Sequence, residues 1–130
     1  MIESAWIEFL QFCLDCERPV PSSVSSIQWE DFFEFAQKQS IIGVLYDGIQ
    51  RLGYKPPYIP RRVLITWGVQ SDFISKQNKK VNAAVVELSS FLQREGFQTV
   101  LLKGQGNNLL YPSVYSRMSG DIDIWITPKD

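Results

Sequence analysis

GFQTVLLKGQGNNLLYP, residues 96–112, decides what kind of fold this chain can form. Phe97–Leu102 is rich in β-formers and too short for a globular helix, so it predicts a strand. Gly96 stops the segment before it, and Lys103-Gly104-Gln105-Gly106 takes the strand into a glycine turn. Asn107 to Tyr111 predicts a short helix closed by Pro112. A second strand follows within SRMSGDIDIWITP, residues 116–128, running from Asp121 to Ile126 and ending before Pro128. The C-terminal region therefore reads as strand, helix, strand.

Upstream, the apolar residues repeat at helical steps. Ile2, Trp6, Phe9, Leu10 and Cys13 predict a helix over residues 2–16, ended by Arg18-Pro19-Val20-Pro21. After a Ser22–Ser26 loop, Trp29, Phe32, Phe33 and Ala36 predict a second helix to Lys38, with Glu30 and Asp31 suited to its first turn. Ser40 is the expected cap of a third helix containing Ile41, Val44, Leu45, Ile49 and Leu52, with Gly53 at its left-handed end. Pro56, Pro57 and Pro60 then break the chain. From Arg61 to Glu95 no proline intervenes, and Trp67, Ile74, Val81 and Leu88 recur every seven residues. One long helix is expected there, spanning a core in preference to forming a coiled-coil seam. The expected fold is α+β: a helical bundle with one long helix over residues 1–95, then the strand–helix–strand region over 96–130, packed as one unit.

Composition narrows the function. The 130 residues suit a single domain, and 45% hydrophobic with 21% charged is ordinary for a globular chain. A formal net charge of −1 and the lack of a basic stripe make nucleic acid an unlikely partner. The residues Met1 to Trp6 carry no secretory signal, and no run of about 18 apolar residues exists, so no membrane role and a cytoplasmic location are expected. There is no histidine, which removes Ser-His, Cys-His and His-metal mechanisms. Cys13-Leu14-Asp15-Cys16 is a C-x-x-C without a second pair, and a structural role is favoured over redox or zinc chemistry.

What remains is carboxylate, lysine, arginine and backbone. On a strand, Asp121, Asp123 and Trp125 share one face. Carboxylates about 6–7 Å apart at Cα repel unless a cation lies between them. A bare D-x-D equally fits the watered face of an edge strand, so its surroundings must decide. A glycine turn between strand and helix lets backbone N–H groups approach a phosphate, although glycines also end strands for conformational reasons. Lys103 and Arg117 precede the two features and could balance phosphate charge, unless they are simply solvated. Together these make a plausible Mg²⁺ site with a nucleoside triphosphate as ligand.

Leu101-Leu102-Lys103-Gly104, Tyr111-Pro112, Arg117 and Ser119-Gly120-Asp121-Ile122-Asp123-Ile124 resemble the uncharacterised bacterial nucleotidyltransferase family of the polymerase-β-type nucleotidyltransferase superfamily. The likeness is close over residues 99–127. It implies that residues 96–130 begin a polymerase-β-like core. It also implies that Lys103, Gly104, Gln105, Gly106, Arg117 and Ser119 meet the nucleotide phosphates, and that Asp121 and Asp123 are the catalytic ligands of Mg²⁺ or Mn²⁺. The implied reaction moves a nucleoside monophosphate from an NTP to a hydroxyl acceptor of unknown identity. Gln105 stands where many superfamily members have serine. A third carboxylate, usual on a later strand, has no candidate but Asp130, which is too close along the chain. The chain is therefore expected to be the N-terminal part of such an enzyme, inactive or nearly so by itself, with an exposed sheet edge that could pair between copies. The rival expectation is a non-catalytic interaction module docking through Trp6, Phe9, Trp29, Phe32 and Phe33, residues for which core packing is the plainer account.

Overall fold

The computed structural model describes residues 1–53 and 59–129. Pro56 and Pro57, expected chain breakers, and Asp130 lie outside the described residues. Helix α1, Ser4–Leu14, is two residues shorter at each end than the apolar spacing suggests. Its final carbonyls turn to Arg51, whose guanidinium donates to Phe12 O at 2.7 Å and Cys16 O at 3.3 Å and lies 4.2 Å from the Phe12 ring centre. That cation satisfies a helix end which otherwise leaves carbonyls unpaired. The expected Ser22–Ser26 loop is a short 3₁₀ helix in which the Ser25 and Ser26 hydroxyls donate to Ser22 O and Ser23 O.

Helix α2 spans Trp29–Lys38, with Glu30 and Asp31 in its first turn as expected. Helix α3 spans Ile42–Gln50, and Gly53 beyond it has the predicted left-handed backbone, φ +79°. Ser40 is not its cap. With φ 57° it terminates α2, and Ile41 N–H donates to Ala36 O at 3.0 Å. A side-chain cap needs extended backbone, which Ser40 lacks; Ile41 holds the capping position instead.

Helix α4, Arg61–Arg94, is the long helix, about 50 Å from end to end at the usual rise. Its first half lies in the core. Trp67 is fully buried, and its ring N–H donates to Ile42 O at 2.9 Å. Around it Phe32 packs edge-on, with centroids 6.0 Å apart, while Phe9 and Trp29 meet at 5.6 Å and 88°. Trp6, Phe9, Trp29 and Phe32 are thus interior, and Phe33 packs on Trp67. The aromatic residues that suggested a docking surface form the core instead. The seven-residue stripe leaves that core beyond Ile74, since Leu88 is exposed with Val86 and Phe91 beside it. The core-spanning reading therefore describes the first half of α4 only.

Strands β1, Phe97–Leu101, and β2, Ile124–Pro128, pair antiparallel, with Phe97 opposite Pro128 and Leu101 opposite Ile124. β1 packs along the C-terminal half of α4. The fold is α+β, mainly helical with a small antiparallel sheet. No helix among the described residues is long and apolar enough to cross a membrane.

Candidate functional site

The site begins where β1 ends. Gly104 has φ +68°, a left-handed conformation that glycine adopts without strain. A Cβ placed on it would lie 2.9 Å from Asp121 O and 3.8 Å from Asp123 Oδ2. The turn thus brings backbone directly against the D-x-D segment. Gly106 has no such requirement, since a Cβ there meets its nearest neighbour at an ordinary 3.5 Å. A 3₁₀ helix, Gly104–Leu110, follows directly and replaces the helix expected from Asn107.

Asp121 and Asp123 stand before β2 rather than on it, which corrects the expected strand limits of Asp121 to Ile126. The reason is that β1 has already turned away at Lys103. One further ladder bond, Leu102 N–H to Asp123 O at 3.0 Å, carries the pairing to Asp123 and no further. Asp121 is exposed and Asp123 half-buried, while Trp125 opposite Val100 faces solvent. Lys103 Nζ lies 3.9 Å from Asp123 Oδ2. Both groups are solvated, so this pair adds little to stability.

The other expected phosphate contacts are partly turned inward. The Gln105 side chain is buried and bonds Asn108 at 2.6 Å, so Gln105 offers a ligand its backbone rather than its amide. Arg117 Nη1 donates to Gly104 O and Asn108 Oδ1, each at 3.2 Å. Its Nε and Nη2 donate to no protein acceptor among the described residues, leaving one edge of the fork for an anion. The Ser119 hydroxyl donates to Asn78 Oδ1. Asn78, buried on α4, and Asn108, buried in the turn, organise this region, and neither stood out in the sequence. The one available signal was a polar residue continuing the Trp67–Ile74 face four residues on.

On the other side of the 113–117 segment, α3 makes a close backbone approach. A Cβ on Gly43 would overlap Ser116 O, and Ser116 and Asp47 line the same cleft. Burial pushes the Asp47 pKa up, and the neighbouring Ser116 hydroxyl opposes this in part. Cys13 is buried against Gly48, and its thiol is pushed up to about 12 by burial; Cys16 is exposed. A thiol so disfavoured from ionising is packing material.

For a divalent ion, the donor chemistry fits: carboxylates are the hard oxygen ligands Mg²⁺ takes, and Asp123 Oδ2 lies beside the Gly104 turn, two residues from Asp121. Among the described residues no three carboxylate or thiol side chains converge, so phosphate and water would complete the sphere.

A family model described as "Uncharacterised nucleotidyltransferase" matches residues 25–130. No curated protein matches the chain, and no solved structure does. The matched span takes in α2, α3, α4, the glycine turn and both aspartates, in keeping with the resemblance of residues 99–127. The chain belongs to this nucleotidyltransferase family.

Proposed function

We propose that the chain supplies the nucleotide site of a divalent-metal-dependent nucleotidyltransferase that moves a nucleoside monophosphate from an NTP to a hydroxyl acceptor. One observation supports this reading: the left-handed Gly104 lies against the Asp121 backbone carbonyl and the Asp123 carboxylate, so a polyphosphate on the turn would sit beside the D-x-D segment. In the reaction the acceptor oxygen bonds to the α-phosphorus, the bond to the bridging oxygen breaks, pyrophosphate departs and the hydroxyl proton passes to solvent or a base. The backbone N–H groups at the start of the Gly104 turn receive phosphate oxygens. Lys103 and the free edge of Arg117 offset their charge. Asp121 and Asp123 hold Mg²⁺ or Mn²⁺, which supplies charge neutralisation and acceptor activation when bound.

Calorimetric titration with a panel of NTPs, with and without Mg²⁺, tests the reading. Metal-dependent binding is expected, with loss of at least tenfold in affinity in Asp123→Ala, on the order expected for removing one charged ligand. Binding that ignores both the metal and the substitution would refute it. Turnover by the 130-residue chain is expected to be slight, because two carboxylates position the reacting oxygens poorly when water has free access.

A further inference from the structure

Asn78 sits midway along α4 with no exposed surface, on the face that carries Trp67 and Ile74 into the core. Asparagine is a poor helix former, and a buried amide needs partners. Here every capacity is used. Nδ2 donates to the carbonyls of Tyr115 and Arg117, each at 2.7 Å. Oδ1 accepts from Gln105 Nε2 at 3.5 Å, from Asn108 Nδ2 at 3.3 Å and from the Ser119 hydroxyl. Backbone carbonyls only accept, so the amide has one workable orientation.

These partners belong to two different segments. Gln105 and Asn108 lie in the 3₁₀ helix that opens at Gly104; Tyr115, Arg117 and Ser119 lie in the loop that leads into Asp121. Arg117 closes the ring by donating to Gly104 O and Asn108 Oδ1. One side chain on a rigid helix therefore holds both halves of the site, touching neither Asp121 nor Asp123.

We propose that Asn78 is the positioning residue of the nucleotide site: it fixes the glycine turn and the approach to the D-x-D at the separation that lets one polyphosphate meet both. The inference rests on the nucleotide reading above. Fully satisfied buried networks specify a single geometry, and a network missing one member specifies it poorly.

Asn78→Asp tests it, since it keeps shape and acceptor oxygens but turns a carboxylate toward two carbonyls. Ser119→Ala removes a single donor and serves as the milder variant. The readouts are amide hydrogen exchange and binding of inorganic tripolyphosphate with Mg²⁺, a probe that needs no choice of base. In Asn78→Asp, residues 104–110 and 115–119 are expected to exchange faster together and the probe to bind more weakly, each by about tenfold or more, with protection in α1, α2 and α3 unchanged. Ser119→Ala should show the same pattern at smaller size. Unchanged exchange in the two segments, with the wild-type protein binding the probe, overturns the positioning role and leaves the nucleotide reading standing. Loss of protection throughout α1–α3 in both variants makes Asn78 a general fold residue and overturns it as well. A wild-type protein that binds no probe, while Asn78→Asp loosens both segments, sinks the nucleotide reading and with it the role at that site, leaving the tie between segments as a structural fact.

Discussion

At Gly104 a single missing Cβ lets two loops touch. Alanine there must hold a left-handed backbone and crowd Asp121 O at 2.9 Å. Gly104→Ala is expected to lower stability by about 1–3 kcal/mol and to abolish metal-dependent nucleotide binding. Chemical unfolding and calorimetry on the same preparation check both; wild-type binding in a folded Gly104→Ala protein would contradict the geometry. The left-handed turn at Gly104 was readable because its cause is local, a turn needing its glycine, and the spacing of Asp121 and Asp123 marks them as candidates for the same reason. The sequence did not show Asn78. That residue's partners Tyr115 and Arg117 lie 37 and 39 positions away, and two of its bonds go to backbone carbonyls, which no side-chain pattern announces. The inward bonds of Gln105 and Ser119 are hidden in the same way, since nothing local says that a buried amide waits on another helix.

The helices were legible because 3.6-residue spacing reports the buried face directly, whereas their ends depend on neighbours. Arg51 capping α1 and Ser40 terminating α2 are tertiary outcomes of this kind. Likewise β2 begins at Ile124 because β1 has already left, a limit set by the partner strand. Between elements, α3 meets the loop after the short 3₁₀ helix at Gly43, whose backbone lies against Ser116 O, with Asp47 beside it. The Asp47 pKa is raised in the folded state, so its contribution to stability is complete below the unfolded carboxylate value near 4 and is lost as pH rises through the folded value. Asp47→Asn, neutral at every pH, should therefore melt higher than the wild-type protein at pH 7, with the gain fading below about pH 4. Melting curves at pH 3.5 and 7 decide it; a lower melting temperature at pH 7 would show that the charged form is the stabilising one.

Across the whole molecule, stability concentrates in the aromatic core shared by α1, α2, α3 and the first half of α4, while the two-stranded sheet leans on the second half. Two strands are marginal without such support. The seven-residue stripe did not reveal this division, because a repeat shows which residues align and not what covers them. Cys13 lies inside the stable half, and its thiol is near 12 when folded against an ordinary 9.0. Unfolding therefore releases a proton between those values, and stability falls as pH rises through them, by up to one proton's slope. Wild-type protein should lose more stability between pH 8 and 10.5 than Cys13→Ala does; denaturant midpoints at both pH values measure the difference, and equal losses would place the thiol in water.

Trp67 and Asn78, eleven residues apart on α4, set a rotational phase between the aromatic core and the site. Each residue of an α-helix advances the azimuth by about 100°. One extra residue just before Asn78 would swing the amide out from under both loops while Trp67 and the rings packed on it kept their places, so the length of that span bears on the site independently of the core. A residue added among Ser22–Ser26 disturbs no such gearing.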